Sequence, residues 1–129
     1  MKTELQYLLY VTIFTGLLWV PYILDRIAVG GINDAVGYPE VVRHSAWGLR
    51  LKKAHYNAIE NLVIFAVLIL VADDLGVKNN AIGNAAILYF WARVVHVIAY
   101  TAAWPWVRTL AFAAGFFAQA AVAWNILVR

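Results

Sequence analysis

One polar run interrupts an otherwise apolar chain: Arg50-Leu51-Lys52-Lys53-Ala54-His55-Tyr56-Asn57-Ala58-Ile59-Glu60-Asn61. It leads directly into Leu62-Val63-Ile64-Phe65-Ala66-Val67-Leu68-Ile69-Leu70-Val71. Cations, a His, two Asn and a Glu therefore occupy the first turns of a helix about to enter a bilayer, where lipid offers polar groups no hydrogen-bond partner. A bound anionic ligand is one way to offset that cost. On a helix, Lys53, Asn57 and Glu60 share a face at i, i+4 and i+7. Farther along, Arg93, His96 and Tyr100 do the same at i, i+3 and i+7. Arg93 lies deep in an apolar stretch and must face the helix bundle and find a partner there. Glu60, the only acid within any span, is the expected one. Two compatible readings follow: a structural ion pair with Asn57 and His96 as hydrogen-bonding support, or a pair that holds neighbouring cations for a ligand. His44, His55 and His96 lack close ligand spacing and the chain has no Cys, so no zinc site is expected.

These residues need long helices to hold them. Of the 129 residues 64% are hydrophobic and only 13% charged, against about 25% charged in soluble domains. One small globule could not hide that much apolar surface, so lipid is the natural solvent. Four stretches can span about 30 Å of hydrocarbon. The first is Leu5 to Leu24, with Pro21 expected to kink or loosen its end. A breaker-rich loop follows, containing Asp25-Arg26, Gly30-Gly31, Asn33-Asp34, Gly37 and Pro39. The second span is Leu49 to Ala72, stopped by Asp73-Asp74-Leu75-Gly76. Asn79 or Asn80 caps the third, which runs to Ala102. The fourth begins near Pro105 and ends near Val128. The expected fold is all-α: a single domain over residues 1–129, an integral membrane four-helix bundle. The first stretch is too long for a signal-peptide core and no small-x-small site follows it, so it is read as a span. In the fourth span, Ala111 with Gly115 and Ala114 with Ala118 permit close helix approach, and Gln119 should hydrogen-bond across an interface.

Arg26, Arg43, Arg50, Lys52, Lys53 and Arg108 fall on one side of the membrane, and Lys2, Lys78 and Arg129 on the other. The bias places the first and third loops in the cytoplasm and both termini outside. With a net charge of +3, the basic residues are too few and scattered for a nucleic-acid surface. A transporter or channel finds no inverted repeat, no broken helix and no continuous polar face through the fourth span.

Lys53-Ala54-His55-x-Asn57-x-x-Glu60-Asn61 ahead of an apolar helix resembles the signature of the MAPEG family, membrane-associated proteins in eicosanoid and glutathione metabolism. Tyr89-x-x-Ala92-Arg93-x-x-His96-x-x-Ala99-Tyr100, then Arg108 opening the fourth helix, is similar to its second element. The resemblance covers essentially the whole chain. It implies a homotrimer with glutathione sites between neighbouring subunits near one membrane face. It assigns Arg26, Lys53, His55, Asn57, Glu60, Arg93 and His96 to the glutathione site or its support, and Tyr100 and Arg108 to the chemistry, with Arg108 stabilising the thiolate. It further implies a transferase or peroxidase acting on apolar electrophiles or hydroperoxides from the lipid. Lys53 stands where eukaryotic branches carry Arg, Tyr56 where some members carry a cation, and Asn61 where the leukotriene-forming branch has Tyr. These departures favour a generic bacterial-type enzyme over a leukotriene or prostaglandin synthase. The competing reading is a non-catalytic membrane module that binds another anion, such as a lipid headgroup, in the same cleft.

Overall fold

A computed structural model describes all residues, Met1 to Arg129. Its elements are α1 (Thr3–Leu17), α2 (Trp19–Gly30), the short α3 (Ile32–Val36), α4 (Ala46–Asp74), α5 (Asn80–Thr101) and α6 (Pro105–Leu127). Four spans are long and apolar enough to cross a membrane: Thr3–Gly30, counted through its interruption, then α4, α5 and α6. Packing is centred on α5, which touches α1, α4 and α6; α2 lies against α4. Only 29 of 129 residues are buried, so the outer wall is a nearly continuous apolar surface, suited to lipid rather than water.

The first span departs from its expected shape. It breaks at Leu18 and then continues through Gly30, so Asp25 and Arg26 are helical rather than in a loop. Pro21 accounts for the position of the break. It has no N–H to give the Leu17 carbonyl, and its ring crowds that same carbonyl. The Thr15 hydroxyl donates back to the Val11 carbonyl at 2.7 Å, which further loosens the turn. Gly31, at φ 87°, ends α2.

Asp25 explains why the helix runs on. Its buried carboxylate accepts the Ser45 backbone N–H at 2.8 Å, where α4 begins. A carboxylate from α2 thus sits on the positive end of α4. It can do so because Gly48 has no side chain: a Cβ there would collide with the Asp25 carboxylate. Gly48→Ala is therefore expected to lower stability by about 1–3 kcal/mol, read as a drop in the thermal unfolding midpoint in detergent. An unchanged midpoint would mean that Asp25 leaves the helix terminus without cost.

His44 is packed beside the same carboxylate, Nδ1 3.8 Å from Asp25 Oδ2. Burial, then the Lys52 charge, holds its pKa below the usual 6.5 against the opposing pull of Asp25. The unfolded chain therefore takes up a proton first as pH falls below 6.5, and the folded state loses stability through that range. The unfolding midpoint should fall between about pH 7 and 5, and His44→Gln should flatten that slope. Equal slopes in the two proteins would contradict this.

Helices α4 and α5 end in the same motif. Gly76 N–H reaches the Asp73 carbonyl and Val77 N–H the Ala72 carbonyl; Ala103 N–H reaches Tyr100 and Trp104 N–H reaches Ala99. The left-handed residue is Gly76 in the first and Ala103, at φ 62°, in the second. Glycine is the usual occupant, because any Cβ crowds the neighbouring carbonyl there. Asn79 caps α5, as expected, through the Ala81 N–H at 2.9 Å. At this end of the bundle Lys2 pairs with Asp73 at 2.8 Å.

The interior has three layers. Toward the Lys2 and Lys78 end, Val11, Phe65, Ile69, Ile82, Tyr89 and Val122 belong to one apolar cluster. Toward the Arg50 and Arg108 end, Leu18, Leu51, Ala54, Ala58 and Val97 form a smaller one. Between them α4, α5 and α6 contribute Asn57 with Asn61, Arg93 and Gln119, a polar layer inside an apolar bundle.

Candidate functional site

The polar layer is a connected network. Arg93 is 1% exposed and donates from Nη2 to Asn57 Oδ1 at 2.7 Å. Asn61 Nδ2 donates to the Asn57 carbonyl at 2.9 Å and approaches its Oδ1 at 3.3 Å. Gln119 Nε2 donates to the Asn61 carbonyl at 3.0 Å, the cross-helix bond expected of it. Three helices are thereby tied at one depth, where each unmade bond would be costly. Small residues let α6 close over the guanidinium stem. From Gly115 a Cβ would stand 3.8 Å from Arg93 Cδ, and Ala111 and Ala118 are buried alongside. Tyr89, one turn before Arg93, stacks on Phe65 with centroids 3.9 Å apart and rings 12° from parallel.

Glu60 takes no part in this. The expected Glu60–Arg93 ion pair is absent; Lys2–Asp73 is the only Lys or Arg ion pair in the chain, and His44 lies near Asp25. The reason is helix rotation. Ala58 is 2% exposed and marks the inward face of α4. Two residues on, at about 100° each, Glu60 points nearly the opposite way, and it is exposed. Asn57 lies on the α5 side and brings an amide, which is far cheaper to bury than a carboxylate. Lys53 is likewise exposed on the outer surface.

His55 and Arg26 fall on a different side of α4 from Arg93. His55 is buried, with Nδ1 2.8 Å from the Tyr22 hydroxyl of α2. Arg26 donates to the Asp34 carbonyl at 3.0 Å, bracing the segment that carries α3. Within one chain, then, Asn57, Arg93, His96, Tyr100 and Arg108 come together across α4, α5 and α6, while Arg26 and His55 make separate contacts with Asp34 and Tyr22 and Lys53 and Glu60 face outward.

Toward the cationic end the first group opens into a cleft of about 370 Å³ lined by Asn57, His96, Tyr100, Arg108, Thr109 and Phe112. His96 is buried beneath it, its ring edge-on to Tyr100 at 5.7 Å, and its Nδ1 has no partner within the chain. The Arg108 guanidinium lies 5.1 Å from the Tyr100 ring centroid, a cation–π contact that holds it at the rim. No acid lines the cleft. A guanidinium at the rim of an acid-free cleft suits an anion.

The MAPEG family model matches residues 7–128. The chain belongs to the MAPEG family. Among curated proteins none matches it significantly. The match and the four long apolar helices together make this MAPEG chain an integral membrane protein.

The sequence reading placed Arg50 and Asn61 in the polar run without giving either a site role, and it passed over Thr109 and Phe112; Arg50 lines a neighbouring cleft with Tyr100 and Arg108. Arg50 carried a usable signal. It precedes Asn57 by seven residues and so shares its helix face.

Proposed function

We propose that this MAPEG protein is a glutathione-dependent transferase or peroxidase of the bacterial type, acting on hydrophobic electrophiles that partition into the membrane. The observation that carries the reading is the acid-free cleft under Tyr100 and Arg108, whose lining includes Asn57, the hydrogen-bond acceptor of buried Arg93. Glutathione, when bound, supplies a thiolate that forms a C–S bond with displacement of a leaving group or opening of a strained ring, or an S–O bond with cleavage of a peroxide. Arg108 stabilises the sulfur anion and Tyr100 holds Arg108 in place and offers a hydroxyl. Arg93, fixed by Asn57, adds positive potential from below, and His96 offers an unpartnered ring nitrogen.

A homotrimer with shared sites accounts for the residues left outside the cleft. Lys53 and Glu60 project from the chain surface, where they would complete a neighbouring subunit's cleft: Lys53 for a carboxylate and Glu60 for the ammonium of the peptide. Arg26 and His55 support the same side from α2 and α4. The cationic end faces the cytoplasm in this reading, with both termini outside.

The test is calorimetry of glutathione against the purified protein in detergent, followed by thiol conjugation to a generic aromatic electrophile. Saturable binding that weakens in Lys53→Gln and Arg93→Gln, with measurable conjugation, is the expected result. Absence of both heat and conjugation would overturn the reading, and binding without conjugation would leave a non-catalytic anion-binding module.

A further inference from the structure

Next to the cleft just described, and sharing Tyr100 and Arg108 with it, lies a second one, about 270 Å³, lined by Arg50, Ala99, Tyr100, Ala103, Trp104, Pro105 and Arg108. Two guanidinium groups share it and no carboxylate does. Arg50 Nε donates to the Thr101 carbonyl at 2.9 Å, one of the carbonyls left open where α5 ends. That bond fixes the Arg50 side chain and leaves its two terminal nitrogens for another acceptor. Arg108 is held from the opposite side by the Tyr100 ring. Two cations line one cleft, and neither has a counter-ion within the chain.

The rest of the lining is apolar, and its depth is informative. Arg50 is the fifth residue of α4 and Arg108 the fourth of α6, so both lie within about 8 Å of a helix start at 1.5 Å per residue. Trp104 lines the cleft, and both it and Trp106 are exposed, as aromatic residues are at the level of lipid headgroups. A second feature marks the same place. Ala103, the left-handed residue that closes α5, contributes to the cleft wall. Strain of this kind is retained where surrounding structure or function over-determines it, and Gly76 shows that the fold uses glycine at the equivalent position of α4.

We infer that this cleft is a binding site for the phosphate of an anionic phospholipid in the adjoining leaflet. Arginine matches phosphate oxygens with paired N–H donors, and basic pockets between spanning helices hold anionic headgroups in this way. The apolar wall of Ala99, Ala103, Trp104 and Pro105 takes the start of the glycerol and acyl region. A zwitterionic choline headgroup would bring its ammonium toward two guanidinium groups and is disfavoured. The site shares Tyr100 and Arg108 with the catalytic cleft, but Arg50 and the phosphate chemistry are its own, so it stands if glutathione conjugation fails.

The experiment compares thermal stabilisation of the full-length protein in a non-ionic detergent by short-chain phosphatidylglycerol, short-chain phosphatidylcholine and glycerol phosphate. Phosphatidylglycerol should raise the midpoint saturably, with the other two giving little at equal concentration. Arg50→Gln should weaken the phosphatidylglycerol effect by about tenfold in concentration. A paired control leaves both arginines intact. Asp and Asn both tolerate the left-handed conformation at position 103. Ala103→Asp should abolish the lipid effect by placing a carboxylate beside the guanidinium groups, and neutral Ala103→Asn should keep it. Lys78→Gln, at the opposite end of the bundle, should change nothing. Equal stabilisation by the two phospholipids, or retention of the effect in Ala103→Asp, would overturn the proposal. Equal stabilisation by glycerol phosphate would reassign the cleft to a soluble phosphate.

Discussion

Asn57→Leu is expected to lower the unfolding free energy in detergent by about 2–4 kcal/mol, while Glu60→Gln should shift it by less than about 0.5 kcal/mol. Asn57 is the one side chain hydrogen-bonded to a guanidinium that is 1% exposed. Leucine has similar bulk but no oxygen, so the guanidinium would keep its buried position and lose its acceptor. The upper end of the range applies if Arg93 finds no substitute. The lower end applies if the unfolded-in-membrane chain also satisfies its polar groups, which shrinks such differences in lipid. Removing Arg93 as well, in Asn57→Leu with Arg93→Met, should recover much of the loss, because the penalty lies in the stranded charge rather than in the missing bond. Denaturant or SDS titration followed by helix signal would measure all four proteins. The reverse ranking, with Glu60→Gln the more damaging, would reinstate the ion pair that the helix rotation excludes.

Arg108→Ala should reduce conjugation turnover by about a hundredfold, as expected for removal of one preorganised charge at a developing or resident anion, and should change glutathione affinity far less. The pH profile separates this from simple loss of packing. A guanidinium near the sulfur lowers the thiol pKa, so its removal raises that pKa and moves the alkaline rise in activity to higher pH. A merely structural Arg108 would lower the rate at every pH without moving the curve. Its contact with Tyr100 gives a companion result: Tyr100→Phe keeps the ring beneath the guanidinium and should retain most of the pH profile, whereas Tyr100→Leu should not. Unchanged turnover in Arg108→Ala would take Arg108 out of the chemistry and leave Arg93 as the cation nearest the reacting sulfur.

The four spans were legible because a bilayer imposes a length and an apolar content that few other structures share. The ends of α4, α5 and α6 were legible because Gly76, Asn79 and Pro105 act through their own backbone chemistry, within a turn of where they stand. The same locality made Lys53, Asn57 and Glu60 look equivalent on a helical wheel, as did Arg93, His96 and Tyr100. Which of them meet depends on how far α4 is rotated against α5, and that is decided by packing of Leu51, Ala54, Ala58 and Phe65 in the interior. Some 60° of rotation separates Asn57 from Glu60, and it makes one a partner of Arg93 and sends the other to the surface. The helical state of Asp25 and Arg26 was hidden for a related reason. The groups that satisfy them, the Ser45 N–H and the Asp34 carbonyl, lie 20 and 8 residues away, and only the folded chain brings them near. The sequence alone thus determined that this is a four-span membrane protein with a cationic end and a buried arginine, since those follow from composition and local backbone chemistry. The tertiary structure alone decided which polar group that arginine meets and where the cationic clefts open, since both depend on the rotation of one helix against the next.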